Sequence, residues 1–447
     1  MNHRSLFTLA ALTTTLAGCP LPGWPPSTDR GLGTRADFDG DGYEDLVVGA
    51  EEGSRVLVFN GSPAGLGATP DLVIEGPEWS YFGGSLGTGG DVNCDGFDDL
   101  VVGANAASFD DVQAGGGIFV YAGSADGLPA TPTYTIGSTA LGPDILAVGF
   151  SFAPLGDVND DDCDDIVVGA PGSNGTFGTA HVLLGSTDGP SVATAVALSG
   201  SNELGGNFGV SVDGVDIDGD GTDEVVVGET YFWIDPVIAH GRVWIYEPDG
   251  TLVTTLSCPD GDFLGFGRSI SRGGDLDGDG AEELFVGAYG VGGNTGAVYA
   301  YRGAREGAIS TTPVWTITPP EGSAGGFFGW RVAGGGDIDG DGRYDLAIGE
   351  TDALELRGRV HLYFSPRTGT DARILVHEGP GEGIEFFGGA LATRHSYDRD
   401  RAHELVVAAS ETAEYRGAVY LFDGESTVPT WTAMGEAFWA LGQGLPR

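Results

Sequence analysis

The stretch Asp337-Ile338-Asp339-Gly340-Asp341-Gly342-Arg343-Tyr344-Asp345 runs straight into the apolar segment Leu346-Ala347-Ile348-Gly349. It sets carboxylates at positions 1, 3, 5 and 9 of a tight loop, an arrangement that is costly unless a hard cation sits among them. Calcium suits such a loop best, because it accepts several oxygen ligands in flexible geometry, backbone carbonyl and water included. Glycine at position 6 permits the left-handed backbone that folds the loop over the ion. A helix-loop-helix calcium site needs glutamate at position 12, and here position 12 is Ile348. The fourth carboxylate stands at position 9, where the chain turns apolar. The loop therefore joins two strands.

The same spacing recurs upstream at Asp37/Asp39/Asp41/Asp45, Asp91/Asn93/Asp95/Asp99, Asp157/Asn159/Asp161/Asp165, Asp216/Asp218/Asp220/Glu224 and Asp275/Asp277/Asp279/Glu283. A worn seventh copy, Ser396/Asp398/Asp400/Glu404, lacks the first carboxylate and has Arg401 in place of the glycine. First positions fall 54, 66, 59, 59, 62 and 59 residues apart. A period near sixty that fills the chain means a repeat architecture whose units cannot bury their apolar faces alone. Around each loop the pattern is constant. An aromatic-glycine pair opens a short strand, and a buried apolar strand ending in Gly-Ala or Gly-Glu follows the loop. Next come an alternating strand such as Ala297–Tyr301 and a weaker outer one such as Val314–Ile317. Four short strands per unit between glycine turns describe a propeller blade. The expected fold is an all-β, seven-bladed β-propeller with four-stranded blades and a calcium loop between the first two strands of each blade.

Composition agrees. Eighty glycines would suggest disorder in a chain without period, but here they fall at fixed places beside 41% hydrophobic residues. The net charge of −45 is concentrated, with about half of the 65 acidic residues inside the seven loops. A halophilic surface would scatter them instead. The remaining acidity repels nucleic acid and anionic headgroups. Lysine is absent, so all 20 basic residues are arginine.

Residues 1–18 read as a targeting segment, with Arg4 ahead of a short apolar run from Leu6 to Leu16 and then Ala17-Gly18-Cys19. Small residues before a single cysteine resemble the bacterial lipoprotein signal, in which Cys19 carries the lipid; a secretory signal with a chance cysteine is the alternative. Residues 19–33, rich in Pro and Gly, read as a tether, and 34–447 as the propeller. Lipidation places the chain at the outer membrane or cell surface, membrane-bound through the anchor only, as a monomeric propeller.

The units resemble FG-GAP repeats, the blades of the integrin alpha-subunit propeller. The FG element stands at Phe82-Gly83, Phe208-Gly209, Phe266-Gly267, Phe328-Gly329 and Phe387-Gly388. The GAP element is complete at Gly169-Ala170-Pro171, with Gly-Ala at 49, 103 and 287. Blade 1 lacks the FG, blade 3 reads Gly149-Phe150-Ser151, and loop 3 carries Asp162 where glycine is expected. The resemblance implies a calcium-stabilised extracellular propeller used for recognition or adhesion, with about six calcium ions and loop 7 doubtful. No RGD or other ligand motif stands in this chain.

Catalytic readings are weaker. Gly83-Gly84-Ser85-Leu86-Gly87 matches a nucleophile elbow, which requires a strand-turn-helix context that an FG element does not supply. The seven histidines are dispersed without zinc spacing. A loop repeated six times argues for structural duty, since an active site needs one asymmetric pair. The chain is expected to be a recognition module for a protein or glycan and not an enzyme. The alternatives are a structural envelope component, or a propeller hydrolase or lyase marked by a central cluster of His, Arg and acids. Calcium loops occupy one face, leaving the opposite face for a ligand. Its longest apolar loop holds Tyr231, Phe232, Trp233 and His240, either as an exposed binding patch or packed on a neighbouring blade. A second long loop, Asn105–Gly117, contains Phe109. Cys94 and Cys163 lie in adjacent loops as candidates for a disulfide. Phe438–Gly444 resembles an eighth inner strand able to close the ring in blade 1, with Gly31–Ala36 as its competitor.

Overall fold

The computed structural model describes residues 36–434 apart from 51–52, 110–111, 174–176, 202–205, 231–240, 262–264, 306–308, 321–324, 367–372, 380–385, 398–401 and 410–416. Seven antiparallel sheets follow one another in chain order, each an up-and-down meander. Six have four strands. Blade 2 comprises Ser85–Gly90, Asp99–Ala104, Gly117–Tyr121 and Tyr134–Gly137, and blade 5 comprises Phe266–Gly274, Glu283–Ala288, Ala297–Tyr301 and Trp315–Ile317. Blade 1 shows three among the described residues, Leu46–Ala50, Arg55–Phe59 and Leu72–Glu75. Of the segments expected to supply its inner strand, 438–444 and residues 31–35 of Gly31–Ala36 lie outside the described residues; Ala36 is buried and its carbonyl accepts the Asp45 N–H (2.6 Å). Besides strands there are one-turn helices, among them Ser138–Leu141 and Ala353–Leu356, which the sequence pattern did not suggest.

The second strand of each blade is apolar throughout because both of its faces are covered. In blade 2, Leu100 and Val102 point into the core shared with blade 1, while Val101 points into the core shared with blade 3. The period-2 alternation of a strand thus divides one apolar run between two interfaces. Seven such clusters exist, one for every pair of neighbouring blades. The last joins Leu46, Val48 and Phe59 of blade 1 to Val406, Val419 and Leu421 of blade 7. The ring is closed.

The two sequence signatures meet at each interface. The FG phenylalanines at 82, 208, 266, 328 and 387 are fully buried. The glycine after each turns its backbone onto the Gly of the preceding blade's Gly-Ala or Gly-Glu ending. A Cβ on Gly169 would stand 2.1 Å from the carbonyl oxygen of Gly209, so neither strand can come so close with a side chain there. In blade 3 the residues in this register are Val148 and Gly149, two positions earlier than the expected alignment on Phe150. Gly149 has φ +77°, its carbonyl approaches Gly103, and Val148 is fully buried where phenylalanine stands elsewhere.

Candidate metal loops and the central cluster

All six acidic loops share one hydrogen-bonding scheme. The position-1 carboxylate accepts the position-6 backbone N–H: Gly42 to Asp37 (2.8 Å), Gly96 to Asp91 (2.7 Å), Asp162 to Asp157 (2.8 Å), Gly221 to Asp216 (3.0 Å), Gly280 to Asp275 (2.9 Å) and Gly342 to Asp337 (2.8 Å). The conformation survives without glycine in loop 3, where Asp162 takes φ +69°; aspartate tolerates the left-handed region better than most residues. Position 3 accepts the N–H two residues ahead in loops 1, 2, 4, 5 and 6, and position 5 does so in loops 1 to 5, as in Asp41 to Asp39 (3.0 Å) and Tyr43 to Asp41 (2.8 Å). The position-9 carboxylate opens the second strand, or in blade 1 stands just before it, and is buried in every one of these loops. Asp45 accepts from Phe38 (3.0 Å) and Gly61 (2.8 Å), and Asp345 from Ile338 (2.7 Å) and Ser365 (2.8 Å). It pins the loop to the third strand while presenting its charge to the loop interior.

The donor set fits a hard divalent cation. Carboxylate oxygens of Asp37, Asp39 and Asp41 lie within 4.8 Å of one another, as do those of Asp216, Asp218 and Glu224, of Asp275, Asp277 and Asp279, and of Asp337, Asp339 and Asp345. Buried Oδ1 atoms of Asp37 and Asp337 have no hydrogen-bond partner. Burial pushes the position-9 carboxyls up, Asp45 and Asp99 to about 8, Asp165 and Asp345 to about 7, Glu224 to about 9 and Glu283 to about 8, against the pull of their backbone N–H partners. A dication held among such groups would restore their charged form.

The expected four-ligand sets are not gathered completely. Each of these four trios leaves out one expected carboxylate, namely Asp45 in loop 1, Asp220 in loop 4, Glu283 in loop 5 and Asp341 in loop 6. Asp220 is exposed and its Oδ1 accepts the Thr222 N–H (2.8 Å), so it faces the loop backbone rather than Glu224. Loops 2 and 3 bring no such acidic trio together among the described residues. The physical reason is the amide at position 3, which leaves Asp91, Asp95 and Asp99, or Asp157, Asp161 and Asp165, without the acid that would link them. Asn93 is buried, its carbonyl accepting the Asp95 N–H (2.9 Å) while its amide nitrogen reaches Asp99 at 3.5 Å. Asn159 is exposed. The exposed position-5 residues Asp95 and Asp161 accept the N–H groups of Phe97 (3.1 Å) and Cys163 (3.0 Å). In loop 7, residues 398–401 lie outside the described residues. Glu404 still accepts from Tyr397 at 3.2 Å, so the position-9 tie persists there.

Position 8 was not singled out in the sequence, yet it joins the loops to one another. The Asp98 carboxylate accepts the Asp37 N–H (3.2 Å) and that of Asp164 accepts the Asp91 N–H (2.9 Å). His403 Nδ1 accepts the Asp337 N–H (2.8 Å), and Glu44 accepts the Ser396 N–H (3.2 Å) across the closure. Return bonds run from the Asp164 N–H to the Asp91 carbonyl (3.0 Å) and from His403 to Asp337 (2.7 Å). Each of these position-1 residues is thereby held by the next blade. The available signal was the acid at position 8 in loops 1 to 5. Between blades 2 and 3 the join is also covalent: Cys94 and Cys163 form a disulfide with Cα atoms 4.9 Å apart. The Cys258 thiol lies 3.8 Å from the Tyr299 hydroxyl.

A buried charged cluster, also unforeseen, sits where the inner strands of blades 4, 5 and 7 meet. Arg272 Nε donates to the Gly214 carbonyl (2.7 Å), its Nη2 pairs with Asp223, and Glu282 lies 3.5 Å away. Arg394 donates to the carbonyls of Gly334 (2.9 Å) and Arg272 (3.2 Å). Asp213 and Arg394 border an axial cavity of about 130 Å³ whose other walls are largely apolar, among them Phe152, Val212 and Val332. The charges in this cluster are spent on one another and on backbone, so it holds inner strands together. Ser85 opens the inner strand of blade 2 with no helix behind it. Tyr231, Phe232, Trp233 and His240 lie outside the described residues, whereas Phe109 packs on Phe119 in the blade 2 core (ring centroids 5.8 Å).

Fold and loops together define a closed seven-bladed propeller whose acidic loops in blades 2 to 7 stand between the first two strands of their blades. FG-GAP-like repeats match residues 37–102, and FG-GAP repeats match 148–183, 266–301 and 328–363. The chain is 31% identical to integrin alpha-5 of Xenopus laevis over 230 residues, 48% of this chain and 21% of that one. It is 36% identical to integrin alpha-3 of Mus musculus over 145 residues (30% and 13%), and 32% identical to integrin alpha-11 of Homo sapiens over 191 (41% and 16%). The matched region spans about a fifth of those integrin chains or less. The Dos1 propeller aligns over 89% of this chain and 79% of its own at 14% identity, with a TM-score of 0.43. This chain is an integrin alpha-like FG-GAP propeller. No helix among its described residues is long and apolar enough to cross a membrane.

Proposed function

We propose that the protein is a calcium-loaded recognition propeller, tethered to the cell envelope through a lipid on Cys19, that presents the face opposite its metal loops to a protein or glycan. The observation that carries the calcium reading is the common scheme of the six loops. In each, the position-1 carboxylate is tied to the position-6 N–H and a buried position-9 carboxylate closes the loop, with most position-3 and position-5 side chains accepting N–H groups as well, at a cost that a dication offsets. Calcium would be held by Asp37, Asp91, Asp157, Asp216, Asp275 and Asp337 with their position-3, -5 and -9 partners. In loops 2 and 3 the carbonyls of Asn93 and Asn159 would stand in for a carboxylate, and entry of the ion would draw Asp95, Asp161 and Asp220 inward from solvent. Its contribution is structural, neutralising the loops from which the blades hang together. The recognition reading rests on the likeness to integrin alpha propellers and on the aromatic loop at Tyr231–Trp233. It is a non-enzymatic reading, resting on the same likeness.

Calcium titration of the intact protein tests the first half. About six ions are expected at millimolar calcium, the weak end of the usual range. Saturation at 100 times Kd stabilises by about 2.7 kcal/mol per site, so chelation should lower the melting temperature steeply. Fewer than about four ions, or a melt indifferent to EDTA, refutes it. A protein and glycan array probed with calcium-loaded protein tests the second half. Tyr231→Ala with Trp233→Ala should abolish any binding found while leaving the melt unchanged; the reverse outcome would assign these aromatics to the core.

A further inference from the structure

The residue at the end of the third strand of each blade, or just past it, stands level with that blade's acidic loop. Pairing of Leu46 with Phe59, Leu100 with Tyr121, Ile166 with Leu183, Val225 with Tyr246, Leu284 with Tyr301 and Leu346 with Tyr363 sets the register. The residues at this level in blades 1 to 6 are then Asn60, Ala122, Leu184, Glu247, Arg302 and Phe364. The fold is constant here and the charge is not. Blades 1 to 3 place a neutral side chain at this level, blade 4 a carboxylate, blade 5 a guanidinium. Arg302 Nε lies 2.6 Å from Asp277 and its Nη2 2.9 Å from Asp279, so it holds two of the four candidate ligands of loop 5. In blade 6 the Phe364 ring seats another guanidinium, that of Arg373, 4.0 Å from its centre. Arg373 Nη2 is 2.7 Å from Asp339 of loop 6, and its Nη1 pairs with Glu425 of blade 7.

We infer that Arg302 in loop 5 and Arg373 in loop 6 are built-in counter-cations that compete with calcium for its ligands, so that the propeller loads in two tiers. Blades 1 to 4 form the tight tier and blades 5 and 6 the weak one. The inference rests on the calcium reading above. A guanidinium about 5 Å from a bound dication in a water-like dielectric weakens binding about tenfold. The asparagines of loops 2 and 3 take away one charge but keep an oxygen donor, whereas the two arginines occupy ligand oxygens as well as opposing the ion. Neither arginine is locked, each being about half exposed. Arg302 stands at the mouth of an open cleft of about 740 Å³ bordered by Arg305, Ser310 and Val314, into which it can swing when an ion displaces it. Displacement therefore needs no change in the fold, and the competition is electrostatic. It should shrink at high salt, because these charges are solvated.

The test is equilibrium dialysis with calcium on the intact protein at low ionic strength. The wild type should fill about four sites before the remaining two. Arg302→Ala and Arg302→Gln, the second keeping most of the stem, should each move one weak site about tenfold tighter, and Arg373→Ala should move the other. Glu247→Arg should move one tight site into the weak tier. Arg55→Ala, which removes the same charge from a pair with Glu75 far from any loop, should leave the isotherm unchanged. Isotherms of both Arg302 variants that superimpose on the wild type, or an equal shift from Arg55→Ala, overturn the inference while leaving the calcium reading intact. No binding at any loop overturns both.

Discussion

Replacing Arg272 by methionine removes a charge from the most buried ionic cluster described in the ring. The guanidinium is 3% exposed, and its partners Asp223 and Glu282 are 2% and 7% exposed. Burial pushes both carboxyls up, and Arg272 is the strongest influence drawing them back. Methionine fills much of the same volume, so the loss is chiefly electrostatic, with two carboxylates stranded in a medium that cannot solvate them. Breaking such a pair from one side costs about 3–5 kcal/mol. At about 2.1 cal/mol/K per residue, a unit of some 400 residues unfolds with an entropy near 0.85 kcal/mol/K, so the melting temperature should fall by about 4–6 °C. Calorimetry at neutral pH reads this directly. Asp223→Asn in the Arg272→Met background should recover part of the loss, because it removes a stranded charge. Asp223→Asn alone should be destabilising. A loss under about 1 kcal/mol in Arg272→Met, or losses that simply add in the double variant, would show that the three groups do not act as a buried unit.

Reducing the Cys94–Cys163 disulfide, which spans 69 residues of sequence, should cost about 4 kcal/mol by loop entropy; melts with and without reductant check it, and free thiols at both positions in a non-reduced digest would refute the pairing. Asp164→Ala removes the acceptor for the Asp91 N–H and should lower urea stability by about 1–3 kcal/mol, whereas Asp164→Asn, which keeps an acceptor oxygen, should cost less. Burial holds His181 and His377 at about 4, below their unfolded value. Each therefore contributes stability that is complete above about pH 6.5 and is lost as pH falls toward 4, by up to about 1.4 kcal/mol per pH unit. Neither ring nitrogen of His377 has a hydrogen-bond partner, so His377→Leu should be more stable than wild type at pH 5 and flatten the difference in melts across that window; an unchanged profile would refute it.

The repeat, the strands and the loops were legible because each is a local requirement written many times over. A position-6 residue must enter the left-handed region, a position-9 carboxylate must be buried against a backbone N–H, and a second strand must be apolar on both faces. The register of blade 3 was less legible. Phe150 looks like the missing FG phenylalanine, but the requirement is on the glycine that faces Gly103, which makes Val148 the buried residue. Spacing also overstated how closely the loop side chains meet: it counts Asp95, Asp161 and Asp220 as equals of their neighbours, yet each stands in solvent on a backbone N–H. Position 8, Arg272 and Arg302 were missed for a common reason: what each does depends on residues it meets only in the folded ring. The partner of Asp98 lies 61 residues away and that of Glu44 lies 352 away, and no spacing within one repeat announces either. Phe109, read as part of a surface loop, is core because the strand carrying Phe119 lies beneath it.

The clasp between neighbouring loops is indifferent to the path of the chain. Asp37 is held by Asp98, its successor in sequence, in the same way that Ser396 is held by Glu44, from the opposite end of the propeller. The same clasp joins blade 2 to blade 3 and blade 6 to blade 7, so the seam between blades 7 and 1 is chemically another such junction. A ring assembled in this way has no first blade. The opening in the covalent chain could sit between other blades without altering the contact that joins them, and a circularly permuted gene cut between blades would encode the same wheel. The handshake also sets the unit by which such a protein can lengthen. A half blade would leave such a grip empty, so growth or loss proceeds by whole repeats, each arriving with its own loop.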